Sequence, residues 1–268
     1  MMEFHFSPMD IDSDAIRNRR KLNGVEQYKR LYHYTSFDSF VKIWLNQNLK
    51  FSPLSRVNDI QEAFFEAAVI NSDKVELAEK LVKERLLYKQ ISFTMDYDSY
   101  FKGCMSTMMW GTYADKSNGV CIELDFEKIH FPDSVIKGIV TYAPFLKLQH
   151  IVDDSIESEE EFQTFFKEHQ NEFFFFKQKD WEGENEYRVL AKGLDYLDIE
   201  GAITSVYLTS FCSNECLLVE KLVDGKVPVN FLSFMRTYNN WAIPVLRNAK
   251  EERLRREKLA QMCKKSDS

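Results

Sequence analysis

Glycine is scarce in this chain, nine among 268 residues. Neither a GxGxxG run nor a Walker-type run occurs, which excludes the glycine-rich loops that cradle dinucleotide or triphosphate groups. The five cysteines are Cys104, Cys121, Cys212, Cys216 and Cys263. An odd count without a signal peptide fits the reduced cytoplasm better than a disulfide framework. Cys212 and Cys216 lie close together, but no second Cys/His pair stands at a metal spacing, so no metal is expected. A run of about 18 apolar residues is missing, so no membrane partner is expected. The Phe173–Phe176 run is short and flanked by Glu172 and Lys177. Positive charge is in deficit: the net charge of −7 does not favour nucleic acid as a partner of the whole surface.

Apolar mass is ample. Hydrophobic residues make up 44% of the chain and aromatics 14%, enough for the core of one α+β domain. Residues 1–30 read as an acidic leader and a surface helix, residues 31–246 as the domain, and residues 247–268 as a charged C-terminal helix or tail. Leu31–Ser36 reads as a strand ending at a helix cap, with Phe37, Phe40, Val41, Trp44 and Leu45 forming one helical face. Leu49–Ser52 is a short strand stopped by Pro53. Asn58-Asp59 caps a helix running to about Ile70, and residues 73–88 continue helical. Gln90–Thr94 reads as a strand, Cys104–Ala114 as a methionine-rich helix or turn, and Gly119–Phe126 and Val135–Tyr142 as strands. Residues 157–178 read as one charged helix. Strands are expected again at 184–192, Ile203–Leu208 and Trp241–Leu246, with a helix at 214–222.

The stretch Trp181–Arg188 carries Glu182, Glu184 and Glu186 at a spacing of two. On a strand all three carboxylates share one face. Like charges in a row repel, so that face requires a cation, a ligand or open water opposite it. A solvated edge strand with acidic gatekeepers satisfies the same pattern.

Three blocks, Leu31–Ser36, Met109–Asp125 and Trp181–Arg188, together with Phe51-Ser52-Pro53, Asn58-Asp59 and Ile91–Thr94, resemble the bacterial family catalogued as domain of unknown function 2971. The resemblance spans roughly residues 30–250. Two positions depart from the family pattern, Ile60 where proline is usual and Thr112 where histidine is usual.

The order of the blocks also resembles that of ADP-ribosyltransferases. An aromatic-flanked histidine comes first (His33-Tyr34), then a Ser/Thr strand (Ser92-Phe93-Thr94) or Tyr113, then Glu184-Asn185-Glu186. By analogy this implies a mixed or antiparallel central sheet split around a cleft, with flanking helices. It further implies NAD as substrate and an unknown acceptor. The function expected is that of an ADP-ribosyltransferase or NAD glycohydrolase, serving as a toxin or phage-defence effector. Glu186 would stabilise an oxocarbenium-like state and orient a ribose hydroxyl, and Glu184 would act on the acceptor. His33 would hold a hydroxyl or phosphate and Tyr113 would stack on nicotinamide, with Tyr34, Ser92, Thr94, Trp110 and Arg188 completing the cofactor site. Arg188 also reads as a tether for a carboxylate. Taken singly, His33, Trp110 and Tyr113 equally suit hydrogen-bonded or packed core positions. A non-catalytic nucleotide- or protein-binding module is the alternative. A magnesium-dependent nuclease built on Asp59, Glu123 or the acidic strand is a third reading, weakened by the arginine that stands where a lysine is usual.

Overall fold

The computed structural model describes residues 29–56, 75–98, 100–143, 156, 158–209, 215–236 and 242–255. The expected Asn58 cap, the Ile60 departure, Asp59, Cys212, Cys263 and most of both termini lie outside them.

The described residues start with strand β1 (Arg30–Thr35) and helix α1 (Phe37–Asn46), capped by Ser36, whose hydroxyl accepts from the Ser39 amide. The short strands β2 (Asn48–Lys50) and β3 (Ser52–Pro53) follow. Helix α2 (Val75–Leu86) leads into β4 (Tyr88–Met95). Helix α3 (Thr107–Tyr113) precedes β5 (Val120–Asp125). The strand expected over 135–142 is two, β6 (Ile136–Ile139) and β7 (Thr141–Ala143).

The single helix expected over 157–178 is α4 (Glu159–Glu168), α5 (Gln170–Phe174) and strand β8 (Phe176–Gln178). The chain breaks because Phe173–Phe175 must enter a cluster shared with Phe162, Phe165 and Phe166, which one straight helix face cannot reach. Then come β9 (Glu186–Lys192), β10 (Tyr196–Asp198), β11 (Ile203–Thr209), α6 (Glu215–Val223), β12 (Val229–Arg236) and β13 (Ala242–Asn248). Strands β10 and β12 carry no clear alternation and are absent from the sequence expectation. The tail begins as strand up to Asn248 and is helical over 249–255.

Among the described residues these strands build a mixed α+β fold around a nine-stranded sheet, ordered β13-β12-β11-β5-β1-β4-β9-β6, with β3 also on β4. Only β11 and β12 run parallel within it. One face is apolar. Leu31, Ile91, Phe93, Ile122, Leu124 and Val189 pack there with Phe40 and Trp44 of α1 and Val219 and Val223 of α6. The Trp44 indole N–H donates to the Leu222 carbonyl and ties the two helices together at 3.0 Å. The other face carries polar and aromatic rows. One row crosses four strands as Glu123, Tyr32, Thr94 and Glu186, each directly opposite the next.

Strand β9 covers one edge of β4 from Tyr88 to Thr94. The other edge is shared. Strand β3 pairs there at Lys89 and Gln90, and β1 only at Thr94 and Met95. Residues 91–93 thus have no strand partner on that edge, and a pocket opens where β1 and β4 part.

Candidate functional site

The pocket encloses about 190 Å³ and is lined by His33, Tyr34, Ser92, Thr94, Tyr113, Glu184 and Glu186, with Lys50, Gln90 and Lys177 among their neighbours. Residues from six stretches of chain therefore meet. Of the nine residues singled out from sequence, Trp110 and Arg188 do not line it. Trp110 is buried, donates from its indole to the Cys104 carbonyl at 2.8 Å and meets the Tyr34 ring edge-on, so it supports the wall from behind. Tyr34 is itself anchored, its hydroxyl donating to the Gly103 carbonyl at 2.6 Å.

The three glutamates do not share one strand face. Residues Lys179–Glu184 form a 3-10 turn, Asn185 is left-handed with φ of 46°, and the strand begins only at Glu186. Glu182 stays in the turn. Asn185 tolerates the conformation because its side-chain amide donates to the Met95 and Asp96 carbonyls at 3.1 and 3.0 Å, fixing the turn against the end of β4. This reversal, rather than strand alternation, brings Glu184 and Glu186 together.

Cations answer the repulsion. The Arg188 guanidinium is fully buried and grips Glu186 with two bonds, Nε to Oε1 at 2.8 Å and Nη2 to Oε2 at 2.9 Å. Its Nη1 donates to the Phe174 carbonyl at 2.7 Å, at the end of α5. The Ser92 hydroxyl donates to Glu186 Oε1 at 2.5 Å. The Glu186 amide donates to the Tyr142 hydroxyl at 2.9 Å. Lys177, buried on β8, places Nζ 2.6 Å from Glu184 Oε2 and 3.7 Å from Glu186 Oε2, over the Trp181 ring. The Tyr113 hydroxyl donates to Glu184 Oε1, so its phenol is committed to an acid. Lys177 and Tyr142 were not foreseen. They sit opposite each other on the small β7–β8 sheet, which shows no distinct sequence period.

The two carboxyls titrate in opposite directions. Burial raises the Glu184 carboxyl, Lys177 pulls against that, and Glu186 adds to the rise. Burial would raise Glu186 as well. The Arg188 charge and its bonds, then Lys177 and Ser92, overcome it and hold Glu186 well below the usual carboxylate range. Desolvation lowers the His33 imidazole, keeping it neutral near pH 7. Its Nδ1 lies 3.2 Å from the Ser92 carbonyl. A carbonyl only accepts, so Nδ1 carries the hydrogen and Nε2 keeps its lone pair.

Residues 109–189 match a family model described as Protein of unknown function (DUF2971). The match runs from α3 into β9 and takes in the second and third blocks of the resemblance, leaving Leu31–Ser36 outside it. No curated protein and no solved structure matches the chain. Thr112, the departure that falls within the match, is exposed on α3 and does not line the pocket.

Proposed function

We propose that the pocket binds a ribonucleotide and that the protein acts on NAD, as an ADP-ribosyltransferase or NAD glycohydrolase. The observation that carries this reading is the pairing of Glu184 and Glu186 in one pocket, their carboxyls displaced in opposite directions by their surroundings. Such a split assigns roles. Glu186 stays ionised, fixed by Ser92 and Arg188, and supplies the negative charge that favours an oxocarbenium-like ribosyl centre. Glu184, the more basic of the two, takes the proton of the attacking acceptor. In the step, the bond between ribose C1′ and the nicotinamide nitrogen breaks and its electron pair goes to nicotinamide. The acceptor oxygen or nitrogen bonds to C1′, and its proton passes to Glu184. His33 stands on the Leu31 side of β1 with its ring against Phe93 and is assigned no part in the step. Consumption of NAD by such a site suits a cytoplasmic toxin or phage-defence effector.

Incubation with NAD tests the proposal by release of free nicotinamide. The Glu184→Gln variant should lose about 10²–10⁴-fold in turnover, and Glu186→Gln at least as much. Wild-type protein that releases no nicotinamide and labels no acceptor in a lysate would overturn the catalytic reading.

A second reading, a non-catalytic nucleotide-binding module, is favoured by one specific contact set. Both Glu186 oxygens already accept hydrogen bonds from Arg188, and Oε1 accepts a further one from Ser92. Nucleotides that raise Tm without turnover would select it.

A further inference from the structure

Strand β4 presents Gln90, Ser92 and Thr94 on one face, in a row with steps of about 7 Å. The middle member is committed to Glu186. The outer two carry buried polar atoms without a hydrogen-bond partner among the described residues, Gln90 Oε1 and Thr94 Oγ1. Both residues line the pocket, and Thr94 is only 1% exposed. Buried polar atoms are rarely left unpaired, and a pair of them at the two ends of one pocket wall marks contacts to be completed by a ligand.

The two atoms ask for different groups. The Ser92 hydroxyl gives its hydrogen to Glu186, so towards Gln90 it can only accept. The Gln90 Nε2 lies on that side, 3.5 Å from Ser92 Oγ. Gln90 Oε1 is therefore an acceptor facing away from the acids and calls for a hydrogen-bond donor, which a base edge supplies as an N–H. Thr94 stands directly opposite Glu186 across the β4–β9 pairing, where its hydroxyl can both donate and accept. That end suits a sugar hydroxyl beside the one Glu186 would take.

We infer that Gln90 is a specificity-determining residue that reads an exocyclic N–H on the base of a bound ribonucleotide, while Thr94 and Glu186 hold its ribose. The ligand then lies along β4 with its base towards Lys50 and Gln90 and its sugar over Ser92 and Thr94. Nicotinamide and adenine carry such a donor; nicotinic acid and hypoxanthine present an acceptor in the same place. This orientation rests on the ribonucleotide reading of the pocket but needs no turnover.

Calorimetric titration of the full chain with two matched pairs tests it: nicotinamide mononucleotide against nicotinic acid mononucleotide, and AMP against IMP. The N–H-bearing member of each pair should bind about tenfold more tightly, the worth of one hydrogen bond. Gln90→Leu should bring that ratio close to one. Thr94→Val should weaken all four ligands and leave the ratio intact. The wild-type series is independent of whether either variant folds. Equal affinity within both pairs overturns the inference and leaves the ribonucleotide reading standing, as does a ratio that collapses in Thr94→Val and survives in Gln90→Leu. Failure of all four to bind overturns both.

Discussion

Arg188 has no exposed surface, and two of its hydrogen bonds end on Glu186. Removing one partner of a buried ion pair strands the other, so Arg188→Leu should cost about 3–5 kcal/mol in a urea melt. Adding Glu186→Leu should restore much of that loss, since two apolar groups replace two paired charges. The acids also make opposite contributions to the pH dependence of stability. Glu186 titrates below its ordinary value of 4.5, so its contribution is present above that pH and is lost as pH falls towards the folded value. Glu184 titrates above 4.5, so its contribution is full below that pH and is lost as pH rises through the folded value. Urea melts across pH should show Glu186→Gln flattening the acid limb and Glu184→Gln flattening the fall above 4.5. His33, Ser92, Tyr113 and the acid pair were legible as candidates because the order of their blocks resembles that of ADP-ribosyltransferases and because a doubled carboxylate requires a cation, a ligand or water opposite it. Lys177 was not, because a lysine closing a phenylalanine run reads as a surface charge until the partner acids are seen.

The elements that set the site are short. The turn at Asn185 joins a 3-10 segment to β9 and aims both carboxylates. Asn185→Ala keeps no side-chain donor for the Met95 and Asp96 carbonyls and leaves the left-handed conformation without the local hydrogen bonds that support it, so a loss of about 1–3 kcal/mol is expected by thermal melt. Nucleotide affinity should fall further than stability alone explains, because the acids lose their relative placement. Gly119, at the entry to β5, is fixed by close approach: a β-carbon there would lie 2.2 Å from the Thr35 carbonyl oxygen. Gly119→Ala should therefore destabilise by about 1–3 kcal/mol or more. Periodicity located β4 and β5, where Ile91 and Phe93, and Val120, Ile122 and Leu124, alternate with a second set of residues, whereas β9 and β11 are buried along nearly their whole length. It missed β10 and β12, and it merged α4, α5 and β8, because a run of phenylalanines satisfies either period.

At the scale of the molecule, the family match over residues 109–189 covers β5 through most of β9, yet β1 and β4 lie between those two strands in the sheet. A fragment of residues 109–189 would leave both strands with bare edges and most of the apolar sheet face uncovered. Such a fragment should show no cooperative melt by circular dichroism; a sharp transition with native-like helix content would contradict this. The sequence by itself determined the class of fold, since alternation and composition act locally along the chain, and a resemblance in motif order supplied the candidate residues. The tertiary structure alone decided that His33, Ser92 and Glu186 share one pocket and which cations neutralise the acids. Those facts depend on strand order and on the parting of β1 from β4, and pairings between segments distant in the chain leave no local period to read.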